Sequence, residues 1–405
     1  MARRILVLGG GYAGALSAIR LARKTRAEDL EVVLVDMRPW FVERVRLHQD
    51  AAGAGPRRRA FGSLLAGTRV QLRVGTVGEL DLERRRARFD GATRSGDAQE
   101  EAFDELVLAM GSVASAPDIP GMGHTWSCAT EERALALHAN VAKLTRGDVV
   151  VVGGGLTGIE AATELAERRP DLRVTLVSGG VFGALVSAGA RPYLRRTFDR
   201  AGIIVHEQTL VVAVEADAVV LSSGDVLRSD ATVWCGGFDA NPLARRAGLA
   251  VDEQGRALVD ARLRSTTRDF VRVIGDAARV EMPGRDGDLA PLRMGCATAM
   301  PQGAFCADDL AAGLGGRPAR AFSFAFAAEC LSLGRREGLV QRLDPFDMPA
   351  RAFVAGRPGA WLKELVCRYA MGSARLERYG IGYSWPRTRA LPERAAGPML
   401  APRQT

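Results

Sequence analysis

The sequence predicts an α/β fold: two Rossmann-like dinucleotide-binding domains, the second inserted into the first, with a C-terminal segment after them. Three observations predict it. A Gly-x-Gly-x-x-Gly turn occurs twice, at residues 9–14 and 153–158. Each turn follows a short apolar run and precedes a helical pattern. A further buried-strand pattern, residues 271–276, comes after the second unit has run its course and belongs with the first.

The first unit opens with Ile5-Leu6-Val7-Leu8 and turns at Gly9-Gly10-Gly11-Tyr12-Ala13-Gly14. Glycines at this spacing permit a tight turn and let the backbone approach a pyrophosphate, which sits at the N–H groups and favourable dipole of the helix start. Residues 12–24 read as that helix, with Leu16, Ile19, Leu21 and Ala22 on its apolar side. The strand 31–35 ends at Asp36, 22 residues past Gly14. That is where a carboxylate takes a ribose hydroxyl.

An arginine-rich connection, residues 40–72, places Phe41 and His48 near a bound cofactor. Strand-like segments follow at 70–76, 79–89 and 104–111, then a linker containing Pro117 and Pro120. The second unit repeats the frame: Val149-Val150-Val151-Val152, the turn 153–158, a helix from about 158 to 169 and a strand at 173–177. Its strand ends in Ser178-Gly179-Gly180, which is neither the acid that favours NAD nor the arginine that favours NADP. Strands at 203–205, 218–221 and 231–235 complete it; the 271–276 strand and a helix at about 297–314 return to the first domain. The expected division is 1–120 with 260–320, 121–259, a C-terminal domain at 321–385 and a flexible tail at 386–405.

At 405 residues the chain has ample core for two or three domains. The net charge of +8 raises the question of nucleic acid. The cations are almost all arginines, scattered along the chain, with Lys24, Lys143 and Lys363 the only lysines. Arg57-Arg58-Arg59 and Arg84-Arg85-Arg86 read as solvated loop faces, so no nucleic-acid partner is expected. The six cysteines form no C-x-x-C or other metal-ligand spacing, so no metal site is expected. No apolar stretch reaches the ~18 residues of a bilayer span. The apolar start runs straight into the first glycine turn, unlike a cleavable leader, so a cytoplasmic location is expected, with peripheral contact on the inner face of the membrane as a variant.

These motifs, in this order, resemble the two-dinucleotide-binding-domain flavoproteins, and within them the type II NADH dehydrogenase-like (NADH:quinone oxidoreductase) group. The resemblance covers residues 3–345. Gly9–Gly14 with Asp36 is similar to the family's FAD unit. Ala109-Met110-Gly111 is similar to its Ala-Thr-Gly signature, residues 153–160 to its nicotinamide motif with Glu160, and Gly275-Asp276 to its late FAD motif. The resemblance implies FAD held by Gly9, Gly11, Tyr12, Ala13, Gly14, Asp36, Val77, Ala109, Gly111, Gly275, Asp276 and Thr298. It implies NADH or NADPH held by Gly153, Gly155, Thr157, Gly158, Glu160 and Ser178. Glu160 and His48 are the candidate catalytic residues, Glu160 facing the flavin or serving only as a helix N-terminal charge, and His48 as a proton donor.

The implied activity is hydride transfer from NAD(P)H to FAD, with electrons passed to a quinone-like acceptor. One departure bears on the acceptor. Where the family carries Ala-Gln-x-Ala-x-Gln, this chain has Cys296-Ala297-Thr298-Ala299-Met300-Pro301, followed by Gln302. A reductase for a ferredoxin-type protein, a metabolite-tailoring flavin oxidase and a redox-silent dinucleotide sensor are compatible with that change. Cys128 and Cys330 are the candidates for a sulfide-oxidising pair. The apolar spacing Trp361, Leu362, Leu365, Val366, Tyr369 predicts an amphipathic helix that rests on a membrane, on the body of the protein or on a second subunit in a homodimer.

Overall fold

The computed structural model describes residues 3–26, 28–91, 98–318 and 320–388. The apolar run of the first unit becomes the strand Arg3–Leu8, buried from Ile5 onward and paired in parallel with Leu30–Asp36 on one side and Glu105–Leu108 on the other. Val70–Asp81, Arg86–Gly91 and Ala98–Ala102 extend the sheet beyond Leu30–Asp36. Val271–Val273 closes its other edge against Glu105–Leu108. The sheet therefore has seven strands, and its last strand arrives only after the second unit has been completed. A strand buried on both faces needs a continuous apolar run, which is how Ile5–Leu8 and Val271–Val273 read.

The second sheet is five-stranded and parallel: Thr125–Trp126, Ala231–Trp234, Gly147–Val152, Leu172–Ser178 and Ile204–Glu207. The helices opened by the two glycine turns are Tyr12–Lys24 and Leu156–Arg168. The late helix is Cys296–Leu314, packed on Tyr12–Lys24 so closely that a Cβ on Gly303 would strike the Ala13 carbonyl.

Four details differ from the sequence expectation. Val70–Asp81 runs unbroken through Gly78, with a register shift between Val77 and Glu79; the glycine marks a bulge, and the turn lies beyond Asp81, where Arg85 has a φ of 52°. Residues 238–259 pack with the first domain, not with the second. Phe238–Ala240 pairs with Ser112–Ala114, and Leu243, Leu249 and Ala257 enter the first core. The C-terminal segment joins both domains: Phe322, Phe324, Leu343 and Met371 pack in the first core, Leu331, Leu333 and Leu339 in the second. It consists of the antiparallel strands Ala328–Ser332, Gly338–Leu343 and Pro349–Ala355 and the closing helix Gly356–Glu377. The tail expected from residue 386 begins bonded to the body, with Ala325 N donating to the Pro386 carbonyl and Thr388 Oγ1 to the Phe324 carbonyl; 389–405 lie outside the described residues.

Candidate functional site

The two glycine turns are built alike. A Cβ on Gly9 (φ 98°) would collide with the Ala109 carbonyl, and one on Gly153 (φ 122°) with the Cys235 carbonyl. A Cβ on Gly14 or Gly158 would collide with the carbonyl of Gly9 or Gly153. A Cβ on Gly11 or Gly155 would meet nothing within 4 Å. The outer glycines thus close each turn onto its strand and helix, and the middle one faces an open cradle at a helix N-terminus, which fits a diphosphate.

Asp36 stands at the end of its strand with both oxygens engaged by backbone, Oδ2 accepting from Gly10 N at 2.7 Å and Oδ1 from Arg38 N at 2.9 Å. Burial nevertheless pushes its carboxyl above the ordinary value. Ser178 holds the matching place in the second unit, tight against Gly154, its hydroxyl donating to the Gly180 carbonyl at 2.9 Å. Thr157 lies in the first turn of the helix behind it.

The late strand delivers Asp276 to the first cradle. Its Oδ2 accepts from Ser112 Oγ at 2.7 Å and its Oδ1 from Gly295 N at 2.8 Å, tying it to Ala109-Met110-Gly111 and to the start of the Cys296–Leu314 helix. Gly275 (φ 71°) faces Ala13 and Ala299. Gln302 does not stand in for a family glutamine at the open site: it is buried, and its Oε1 accepts from Gly275 N at 2.7 Å. Thr298 is buried and turns its hydroxyl back onto the Arg293 and Gly295 carbonyls, so the hydroxyl is not free for a ligand. Val77 sits three residues past Val74, the strand partner of Asp36, with its side chain buried.

Arg44 was not singled out by the sequence. Its guanidinium touches Ser112 Oγ at 3.3 Å and lies beside Gly111 and near Asp276, with no carboxylate within ion-pair distance among the described residues. Burial pulls its pKa down. A half-buried cation with no paired carboxylate among the described residues, beside Gly111, is suited to an anionic ligand.

Glu160 lies in the second turn of the Leu156–Arg168 helix and points into the protein, so it is not a helix N-terminal charge. Its Oε1 takes Lys363 Nζ at 3.0 Å and Ser332 N at 2.9 Å, and its Oε2 lies 3.6 Å from His48 Nδ1. Four chain segments far apart in sequence meet here. Burial raises the Glu160 carboxyl, but Lys363 and then His48 outweigh it and hold it below its ordinary value. Burial works on Lys363 in the opposite sense and is overridden by Glu160, so Lys363 stays protonated. His48 is 4% exposed; burial takes its pKa down to about 4 against the pull of Glu160, and its Nε2 has no hydrogen-bond partner. Lys363, one of three lysines in the chain, is the residue the sequence offered no reason to choose beyond that rarity.

The cysteines separate into two groups. Cys235 neighbours Cys128, whereas Cys330 lies near Cys296 and Cys367 around Lys363, so Cys128 and Cys330 are not paired. All six are free thiols. Among the described residues no His, Cys, Asp or Glu cluster is suited to a metal ion.

The twin cradles and the returning Asp276 strand are matched by a family pattern spanning residues 3–303, described as pyridine nucleotide-disulphide oxidoreductase. The chain belongs to this family. It therefore uses a flavin and a nicotinamide nucleotide. It is 29% identical over 352 residues to the demethylphylloquinone reductase NdbB of Synechocystis, covering 82% of this chain and 84% of that protein. It is 32% identical over 314 residues to the NADH dehydrogenase-like protein Rv1812c of Mycobacterium tuberculosis, covering 72% and 74%. In architecture it is similar to NDH2 from Plasmodium falciparum, with a TM-score of 0.74, 12% identity, and coverage of 96% of this chain and 100% of that one.

Proposed function

We propose that the protein is an FAD-dependent NAD(P)H:quinone oxidoreductase. The observation that carries the reading is the buried meeting of Glu160 and Lys363. One comes from the helix that the nicotinamide turn opens, the other from the closing helix. The names of the similar proteins, two of them a quinone reductase and an NADH dehydrogenase-like protein, support the same reading. The overall change is NAD(P)H + H⁺ + quinone → NAD(P)⁺ + hydroquinone.

FAD, held when bound by the 9–14 turn, Asp36, Ala109, Gly111, Arg44, Gly275, Asp276 and the backbone at Thr298, supplies the two-electron relay between the nicotinamide and the acceptor. The chain's own work is positioning and charge. Gly153, Gly155 and Gly158 seat the NAD(P)H diphosphate, with Thr157 and Ser178 at its edge. Arg44 gives the FAD diphosphate a cation in a site where a lone guanidinium is otherwise unfavourable. Lys363 holds a proton at Nζ and presents it to the acceptor oxygen as charge develops there; Glu160 keeps Lys363 charged and aimed. His48, neutral at neutral pH, fills the third side of the pair and is not its acid.

The closing helix bears the membrane part of the proposal. Trp361, Leu365, Val366 and Tyr369 are exposed, Trp361 by 68%, while Gly359, Cys367, Ala370 and Met371 face the body. Arg368, Arg375 and Arg378 accompany the apolar stripe. An apolar face of this kind with flanking cations suits the interface of an anionic lipid leaflet. Among the described residues no helix is long and apolar enough to cross a membrane.

The test is anaerobic stopped-flow. The purified yellow protein is bleached with NADH and NADPH in turn, then mixed with a naphthoquinone, a ferredoxin or oxygen. Rapid recovery of the oxidised spectrum with the quinone is expected. Recovery with ferredoxin alone, or no bleaching at all, refutes the proposal.

A further inference from the structure

A cavity of about 550 Å³ opens beside Lys363, bounded by the helix Leu47–Ala51 side of Arg46, by residues 332–336 and by the first two turns of the closing helix. This is within the range of small-molecule sites, ~300–1,000 Å³. Its charge is one-sided. Arg46, Arg335, Arg336, Arg357 and Lys363 line it, and Glu364 is the one acidic residue in its wall. Glu364 is already committed, accepting from Arg46 at 2.8 Å and Arg368 at 2.9 Å. Arg335 is held by Glu164 at 2.8 Å and Lys363 by Glu160 at 3.0 Å.

Arg336 and Arg357 differ from the rest. Both are exposed at the cavity's rim, and among the described residues neither has an ion-pair or hydrogen-bond partner. Trp361 forms part of the wall, and the floor is the protonated Lys363. The inner cations are each paired with a carboxylate, so the uncompensated positive charge of the cavity lies at its rim, on Arg336 and Arg357, with the Lys363–Glu160 pair at the inner end. A funnel of one sign concentrates ligands of the other and holds them by charge-assisted hydrogen bonds. A neutral, purely apolar quinone has no use for the rim pair.

We propose that this cavity takes a quinone carrying an acidic substituent, a carboxylate or sulfonate, with the ring toward Lys363 and the acid on Arg336 and Arg357. The inference rests on the acceptor role proposed above and narrows it to a substrate class. The two rim guanidiniums hold the anion by charge-assisted hydrogen bonds and so set the ring's register.

The experiment compares two acceptors of like ring size, 2-methyl-1,4-naphthoquinone and 1,4-naphthoquinone-2-sulfonate, with the flavin-loaded protein in lipid-free buffer. The readout is the ratio of kcat/KM for the sulfonate to that for the neutral ring. It is expected to exceed one, to decline with added salt, and to fall at least ~10-fold in R336E/R357E, with R336Q/R357Q intermediate, as the loss of a charge-assisted anion contact requires. The same variants are mixed with vesicles of pure phosphatidylcholine and of phosphatidylcholine with phosphatidylglycerol. If the substitutions leave the ratio unchanged, the proposal is overturned; should they then weaken only binding to the anionic vesicles, the arginines serve lipid headgroups. If neither quinone reoxidises the bleached protein, the acceptor role itself is wrong, a distinct result.

Discussion

Replacing Lys363 with methionine isolates the central ion pair. In the native protein Lys363 Nζ is 3.0 Å from Glu160 Oε1, with side-chain exposures of 15% and 11%. The substitution leaves Glu160 with one backbone N–H, from Ser332 at 2.9 Å, and the Nδ1 of a neutral His48 at 3.6 Å. Breaking a buried pair from one side costs about 3–5 kcal/mol, because the remaining charge is uncompensated. Glu160→Gln with Lys363→Met removes both charges and is expected to lose less than the two single variants added together. The pH dependence has a definite sign. Lys363 holds the Glu160 carboxyl below its ordinary value, so in the native protein this contribution is present above the carboxylate range and lost as pH falls through it. Without Lys363 burial dominates and the carboxyl rises. The variant then favours the protonated acid and loses stability as pH climbs through the carboxylate range. Thermal unfolding from about pH 2 to 8 measures both profiles, and stopped-flow measures reoxidation by quinone, expected to slow by about 10²–10³ through loss of a preorganised donor. Parallel pH profiles for K363M and native protein, or additive stability losses in the double variant, would refute the reasoning.

Four further outcomes follow from the geometry. A valine at Gly11 meets open space, so G11V is expected to fold and lose flavin absorbance, and G155V to keep its flavin yet resist bleaching by NAD(P)H; G14V, which collides with the Gly9 carbonyl, should fail to fold. Circular dichroism and the visible spectrum separate these cases. His48 titrates at about 4 against an ordinary 6.5, so the folded state loses stability as pH falls from about 6.5 toward 4, and H48Q should flatten that part of the unfolding profile. R44M removes a half-buried cation that has no carboxylate partner among the described residues; flavin-free protein should melt no lower than native, while retention of FAD on dialysis falls by ~10-fold or more. For the closing helix, W361S/L365S/Y369S should reduce sedimentation with anionic vesicles without lowering the melting temperature; an unchanged sedimentation together with a shift in molar mass would assign that face to a second copy of the chain.

The contrast between legible and illegible features is physical. Tyr12–Lys24 and its flanking strands were readable because glycine positions, apolar period and the terminal Asp36 all act within some 35 residues of sequence. Gly275-Asp276 was readable for the same local reason. The break assigned at residues 76–79 was an error of local reading, since a glycine permits a bulge as well as a turn. The stretch 238–259 was assigned to the wrong domain because its apolar residues match either core; only the pairing of Phe238–Ala240 with Ser112–Ala114 decides between them.

The sequence by itself determined two glycine turns of like build, their order, the return of the late strand to the first sheet and the family, because each of these rests on short-range patterns. Tertiary structure alone decided what surrounds Glu160. His48, Ser332 and Lys363 reach it from three distant segments, and a charge in that interior persists only where its partners converge. It also decided which side of the closing helix faces out. An apolar period says that a helix has two faces; the small residues Gly359, Ala370 and Ala374, packed against the body, say which one is covered.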